Sequence, residues 1–131
     1  MGAFSDYLEN KLVDHTLRNV TYTPPATVYL ALFTSTATLA QLEANTITNE
    51  LTGGSYTRQA VTFAAAAGGG TSNSATITFS NLPAATLNFV AVMDAASAGN
   101  ILYYVQMGSS ITTSAGDGYQ INAGGLTIQL D

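Results

Sequence analysis

The run TVYLALFTS, from Thr27 to Ser35, constrains the fold more than any other segment. Its β-branched and aromatic residues favour a strand. In an extended strand its apolar side chains fall on both faces, with Val28, Leu30 and Leu32 on one and Tyr29, Ala31 and Phe33 on the other. A strand with one face in water alternates apolar with polar residues, whereas a strand covered on both faces does not. The run therefore predicts a central strand that is buried on both sides.

Further strand patterns occur after this run, separated by glycine-rich connectors at the spacing typical of sandwiches and barrels. ATITF and LTIQL alternate apolar residues with Thr or Gln, as half-buried strands do, and three more runs are predicted as strands: YTRQAVTF, LNFVAVMD and ILYYVQM. The segment Ala115-Gly116-Asp117-Gly118 is predicted as a turn. We expect an all-β domain, an antiparallel β-sandwich for which a jelly-roll-like arrangement is one possibility, with one N-terminal α-helix.

The helix is predicted before the strands, with Ser5 or Asp6 as its N-cap. Apolar residues recur along it and form a stripe: Phe4, Leu8, Leu12, Val13 and Leu17. An isolated helix of this length is marginally stable in water, so the stripe must dock on its own domain or on a neighbouring subunit. Docking on its own domain is the simpler hypothesis.

Two proline residues, Pro24 and Pro25, end this unit, because proline lacks a backbone donor and disfavours helix in the residue before it. The predicted division is therefore an N-terminal helix or arm, residues 1–22, and a β-sandwich domain, residues 23–131. A second, short helix is predicted after Thr38, where Thr38 and Gln41 have the spacing of a capping box.

Charge is scarce, at 8% of residues, and eight acidic side chains outnumber three basic ones. Nucleic-acid and anionic-membrane binding need clustered Lys or Arg, so we expect neither as a partner. The N-terminus lacks the basic and apolar regions of a signal peptide, which predicts an intracellularly made protein. A surface with so few charges has little protection against association, and partners that cover it would explain it.

Few residues suggest chemistry, and we predict no catalytic, cofactor-binding or metal-binding residues. His15, the single histidine, lies near the predicted helix end, where a polar or cationic ring is favoured. Asp94 and Asp117 lack the spacing of a calcium loop. A β-sandwich hydrolase that uses His15 or Asp94 is the enzymatic alternative. Tyr119 and one of Tyr103 and Tyr104 are candidates to line a sugar-binding groove, since adjacent strand residues point to opposite faces.

Several segments together resemble a family of small tailed-bacteriophage virion proteins. They are AFSDYLENKLVDHTLRN, TVYLALFTS, GGSYTRQAVTFAAAAGG, NSATITF, the segment that ends in GNILYY, and the closing AGGLTIQLD. Members of this kind are described as tail-fibre or minor structural proteins, and some are similar to capsid cement or decoration proteins. The resemblance implies a virion protein made in the host cytoplasm, with a structural role.

Our leading hypothesis is a capsid cement protein, a homotrimer that stabilises contacts between copies of the major capsid protein. The alternative is a tail-fibre or tail-tip module that binds host surface glycans. For assembly, the interface candidates are Phe4, Leu8 and Leu12 on the helix stripe and Pro24 and Pro25, which set the direction of the helix.

Overall fold

The computed structural model describes residues 3–130 of the 131-residue chain. Residues 1, 2 and 131, which belong to the ends of the two predicted parts, lie outside the described residues. The described residues form two helices and nine strands in this order: β1 (Ala3–Phe4), α1 (Asp6–Leu17), β2 (Val28–Thr34), α2 (Leu39–Glu43), β3 (Gln59–Val61), β4 (Gly70–Ser72), β5 (Ile77–Leu82), β6 (Ala85–Met93), β7 (Ile101–Thr113), β8 (Asp117–Ile121) and β9 (Thr127–Gln129).

The main layer is a five-stranded antiparallel sheet in the order β1-β7-β6-β2-β3. β2 lies inside this sheet, and its two faces contribute to two different cores. Leu30 and Leu32 pack into the first core, whereas Ala31 and Phe33 pack into the second, and all four side chains are fully buried. The prediction of a central strand covered on both sides is confirmed.

The second layer covers the first face of the main sheet with two separate antiparallel ribbons, β4–β9 and β5–β8. Ile77 and Phe79 of β5 and Ile128 of β9 point into the first core and pack with Val90 and Val92 of β6. The antiparallel β-sandwich with one N-terminal helix is therefore confirmed. Its second layer consists of two ribbons, not of the single four-stranded sheet of a jelly roll.

The second core lies on the other face of the main sheet, under α2 and the loop that leads into it. Leu42 of α2 is fully buried there beside Phe33 and Met93. The Thr38 side chain accepts a hydrogen bond from the Gln41 backbone, and the Gln41 side chain accepts one from the Thr38 backbone. The predicted capping box is confirmed, and it places α2 over the core.

Several strand boundaries differ from the prediction, and in the first two of the following cases the cause is a pairing that local patterns do not show. YTRQAVTF forms only β3, since the backbone of Asn49 and Leu51 bonds the edge of β2 beyond Leu30. The turn is predicted at residues 115–118, but β8 already starts at Asp117, where it pairs with β5. β9 ends at Gln129, which leaves Leu130 42% exposed, although LTIQL predicted it on the buried face.

β7 is longer than predicted and contains a bulge. Leu87 of β6 pairs with Ile111, and Phe89 pairs with Gln106, so four residues of β7 stand opposite Asn88 alone. A bulge bends its strand and changes the direction of the side chains. The bulge at residues 107–110 therefore separates a first half of β7 that is integrated in the sheet from a second half that turns toward β8.

Candidate assembly surface

The N-terminal arm is anchored at its base by Ser5, which is fully buried. The Ser5 hydroxyl donates to the carbonyl of Ile101 and accepts the backbone N–H of Leu8 at 3.3 Å, while the Ser5 N–H donates to the Leu102 carbonyl at 3.0 Å. One residue thus caps α1 and attaches it to the start of β7. The predicted N-cap and helix are confirmed, with α1 ending at Leu17.

The stripe predicted on the helix divides into two parts. Phe4 belongs to β1, and its ring meets the Tyr103 ring edge-on at 5.0 Å between centroids. Leu8 is 4% exposed and Leu12 is half-buried, so this part of the stripe faces the protein's own sandwich. Val13 and Leu17 are 52% and 79% exposed. We call Val13 and Leu17 the outward helix face.

The segment after the helix returns to the sandwich at Tyr22. Tyr22 is half-buried, whereas Thr21 and Thr23 on either side of it are exposed. Burial raises the pKa of Tyr22, with smaller contributions from Tyr7, Asp94 and Tyr103. His15 holds the segment after the helix in place, because its Nδ1 lies 3.1 Å from the Val20 carbonyl oxygen. The histidine therefore stabilises the end of the helix, as expected for a polar helix-end residue.

The two prolines follow this returning segment. Pro24 is exposed and Pro25 is half-buried, and both lie in irregular backbone between α1 and β2. The division into an arm, residues 1–22, and a sandwich domain, residues 23–131, stays a prediction, and β1, which lies in the predicted arm, pairs with β7 of the main sheet. Their role as interface candidates, like that of Phe4, Leu8 and Leu12, stays a prediction.

A buried ion pair that sequence reasoning missed organises the loops at one end of the sandwich. Arg58 contacts Glu50 through two hydrogen bonds of 2.8 Å, and its Nη1 donates to the carbonyls of Ala95 and Ala98, also at 2.8 Å. The bond to Glu50 raises the pKa of Arg58 further, against the effect of burial. Arg58 thus holds the β6–β7 loop against the segment before β3.

Tyr56 completes this cluster. Its hydroxyl donates to Glu50 at 2.8 Å and accepts the backbone N–H of Leu32 at 3.0 Å. Burial, and then the negative charge of Glu50, raise the pKa of Tyr56 well above its usual range. A shallow cavity of about 360 Å³ lies beside the cluster. The polar atoms of Arg58 and Tyr56 form hydrogen bonds within the protein, so the cluster has a structural role: it fixes the loops at this end of the sandwich.

A larger groove lies where the two layers of the sandwich diverge. It measures about 620 Å³, and its lining is mixed. Half-buried apolar side chains line it, Val105 and Met107 of β7 and Tyr119 and Ile121 of β8, together with the polar side chains of Gln106, Ser109, Gln120 and Asn122. We call it the β7–β8 groove. Within residues 3–130, β1 pairs with the outer edge of β7 only at Tyr103 and Tyr104, so this edge is open along the groove. Among residues 3–130, no charged residue lines it.

The tyrosines occupy the positions expected from their alternation. Tyr103 packs against the first core and Tyr104 lies in the second, so they point to opposite faces of the sheet. Tyr119 lines the β7–β8 groove, whereas Tyr103 lines a separate apolar cavity of about 170 Å³. The structure therefore does not bring these rings together into one sugar-binding groove.

The acidic residues considered for calcium are also separate. Asp94 follows the last residue of β6, whereas Asp117 pairs with Leu82, before the first residue of β6. A nine-residue strand is roughly 30 Å long, so the two carboxylates cannot share an ion. In the described part of the chain, no three His, Cys, Asp or Glu side chains form a group that fits a metal ion.

Neither helix between residues 3 and 130 is long and apolar enough to cross a membrane.

These features define a class of protein: a small antiparallel β-sandwich with an N-terminal helix that is anchored to it and exposes an apolar face. Residues 3–129 match the family model described as Podophage GP4 fiber I protein gp80, and the chain belongs to this family. The predicted membership of a phage virion structural protein family is thereby confirmed. No curated protein matches the chain.

Proposed function

We propose that this virion protein is a building block of a phage fibre, which joins neighbouring subunits through its outward helix face and catalyses no reaction. The observation that carries this proposal is the 79% exposure of Leu17, next to Val13, on a helix whose base is fixed to the sandwich. An apolar face on a firmly held element is typical of an interaction site. The family description, which names a fibre protein, supports the same role.

The distribution of charge supports close packing between copies. Asp6, Glu9, Lys11, Asp14 and Arg18 are all in the arm, and Glu50 and Arg58 neutralise each other inside the sandwich. The described surface of the sandwich therefore carries few charges, at Glu43, Asp94 and Asp117. Surfaces with so few charges approach one another with little electrostatic repulsion.

The absence of catalysis is part of the proposal, and the two residues considered for hydrolysis support it. His15 bonds the Val20 carbonyl, and both carboxylate oxygens of Asp94 accept hydrogen bonds from Asn100, at 2.7 and 2.9 Å. Gly99, at φ +70°, leaves no room for a side chain beside Asp94. These contacts give both residues structural roles in the loops.

The cement hypothesis receives less support than the fibre alternative. The family description names a fibre, and no observation of the structure favours the major capsid protein as a partner. The homotrimer stays a prediction, and it is compatible with either location. A glycan-binding role for the fibre has one favourable feature, the Tyr119 ring in an uncharged groove beside Gln106 and Gln120.

Incorporation into particles tests the proposed function. Particles are produced with wild-type protein, with Leu17→Asp or with Ser80→Asp, which adds the same charge at an exposed position on β5 as a control. We expect Leu17→Asp to be depleted at least tenfold from purified particles, because a carboxylate in an apolar contact loses its hydration. Ser80→Asp is expected at the wild-type level. Wild-type incorporation of Leu17→Asp, with its folding verified by circular dichroism, would contradict the proposal.

A further inference from the structure

We propose that the β7–β8 groove binds a neutral saccharide through its amide side chains and the Tyr119 ring. The inference goes beyond the proposed function, because none of the described residues that line the groove belongs to the outward helix face. With a volume of about 620 Å³, the groove lies within the range of roughly 300–1,000 Å³ that is usual for small-ligand sites.

The groove exists because two consecutive strands belong to different layers of the sandwich. Only residues 114–116 connect β7 to β8, but β7 pairs with β6 and β8 pairs with β5. The bulge of β7 borders the space between them, and Gly108 in this bulge has open space where a Cβ atom would lie. Glycine inside a strand often marks a place where a ligand approaches the backbone closely.

The polar side chains of the groove are amides and a hydroxyl, and all of them are exposed: Gln106, Ser109, Gln120 and Asn122. The Gln120 amide donates to the Asn122 side-chain oxygen at 2.9 Å, which leaves Gln120 Oε1 as an acceptor and Asn122 Nδ2 as a donor for a ligand. A side-chain amide both donates and accepts hydrogen bonds, as a sugar hydroxyl does. This chemistry therefore suits a ligand with many hydroxyl groups.

The apolar part of the lining suits the other side of a sugar, its C–H groups. The Tyr119 ring is half-buried and stacks on Phe79, with 6.4 Å between the ring centroids and 23° between the ring planes. This stacking fixes the ring at the groove, beside the half-buried side chains of Val105 and Ile121. A saccharide presents both apolar C–H faces and hydroxyl groups, so it matches a mixed lining better than a wholly apolar ligand does.

Charge favours a neutral saccharide over an acidic one. Among residues 3–130 no charged side chain lines the groove, and burial raises the pKa of Tyr119, so its hydroxyl stays neutral. An acidic sugar would find no positive partner there, on a chain whose net charge is -5. An extended peptide is also neutral, but it needs a regular strand edge, and the bulge at residues 107–110 interrupts the edge of β7.

A glycan array followed by titration tests the inference. The array carries neutral oligosaccharides of glucose, galactose, mannose and N-acetylglucosamine, together with sialylated and sulfated forms of the same oligosaccharides. We expect the full chain to bind at least one neutral oligosaccharide, and to bind its acidic forms more weakly. Titration calorimetry with that neutral oligosaccharide then gives the Kd of the wild type and of each variant.

Four variants locate the binding site. Gln106→Ala and Gln120→Ala should each weaken binding about three- to tenfold, as expected for the loss of one hydrogen bond, and Tyr119→Ala should weaken it at least about tenfold. Gln129→Ala is the matched control, because it removes the same amide from an exposed position on β9 outside the groove, and it should bind like the wild type. Circular dichroism verifies folding, and the two glutamine variants decide the test if Tyr119→Ala does not fold.

Three results would overturn the inference: no binding to any saccharide of the array, tighter binding of an acidic form, or wild-type affinity in both Gln106→Ala and Gln120→Ala. None of them affects the fibre role, which Leu17→Asp tests separately. Weakened saccharide binding by Gln120→Ala, together with its normal incorporation into particles, would support a groove that binds a ligand and is not needed for assembly. Depletion of Gln120→Ala from particles with unchanged saccharide affinity would assign the groove to assembly instead.

Discussion

Two ion pairs in this chain have nearly the same geometry and very different surroundings. The Glu50–Arg58 pair has an N–O distance of 2.8 Å with side chains 16% and 3% exposed, whereas the Asp14–Arg18 pair has 2.9 Å with side chains 37% and 67% exposed. If burial decides the energy of such pairs, removal of the two arginines should affect the free energy of unfolding very differently.

The magnitude follows from the contacts. Arg58→Ala leaves the Glu50 carboxylate largely buried without its two hydrogen bonds, and the carbonyls of Ala95 and Ala98 lose their donor. Breaking a buried pair from one side costs about 3–5 kcal/mol. Arg18→Ala removes an exposed pair, worth about 0.5 kcal/mol or less.

The assay is urea unfolding followed by far-ultraviolet circular dichroism. Small domains have about 5–15 kcal/mol of stability, so Arg58→Ala should remain partly folded in water with a midpoint shifted far toward low urea. Glu50→Gln, which keeps the shape of the side chain, should show a smaller shift in the same direction. Equal costs for Arg58→Ala and Arg18→Ala, within about 0.5 kcal/mol, would refute the argument from burial.

Three further predictions use the same measurement. Leu8→Ala should cost about 2–3 kcal/mol, since Leu8 is 4% exposed, while Leu17→Ala should change monomer stability by less than about 0.5 kcal/mol; equal effects would contradict the division of the helix into two faces. Thr38→Ala should cost about 1 kcal/mol through loss of the capping box, and no change would mean that α2 is held by packing alone. Burial holds the pKa of Tyr56 above its usual value near 10, so the unfolded chain ionises first: stability should be complete below about pH 10 and fall above it, and an equally steep fall in Tyr56→Phe would exclude Tyr56 as the cause.

The sequence was sufficient for those parts of the fold that depend on local patterns. Ser5 and Thr38 are recognisable caps because their partners, Leu8 and Gln41, are three residues away. The two-sided apolar run of β2 is equally local. β8 was missed because Asp117 and Gly118 are turn formers, and pairing with β5, nearly forty residues earlier, outweighs that preference.

The candidate surfaces were predictable only in part. The apolar residues of the helix are visible in the sequence, and at 3.6 residues per turn Leu17 lies on the side of the helix opposite Leu8, so helical geometry already separates them. Which of the two sides meets the sandwich depends on where β7 lies. Arg58 was counted as a charge and not recognised as a structural element, since its carbonyl partners are 37 and 40 residues away. Gly108 is a local signal for the bulge in β7, since glycine inside a strand often marks one, but the place of the bulge opposite Asn88 depends on pairing with β6.

The most direct test of the central claim is a high-resolution image of the fibre in intact particles. The account predicts that copies of this protein occur in the fibre with Val13 and Leu17 covered by a neighbouring subunit. An image in which every copy leaves Leu17 facing solvent would contradict it.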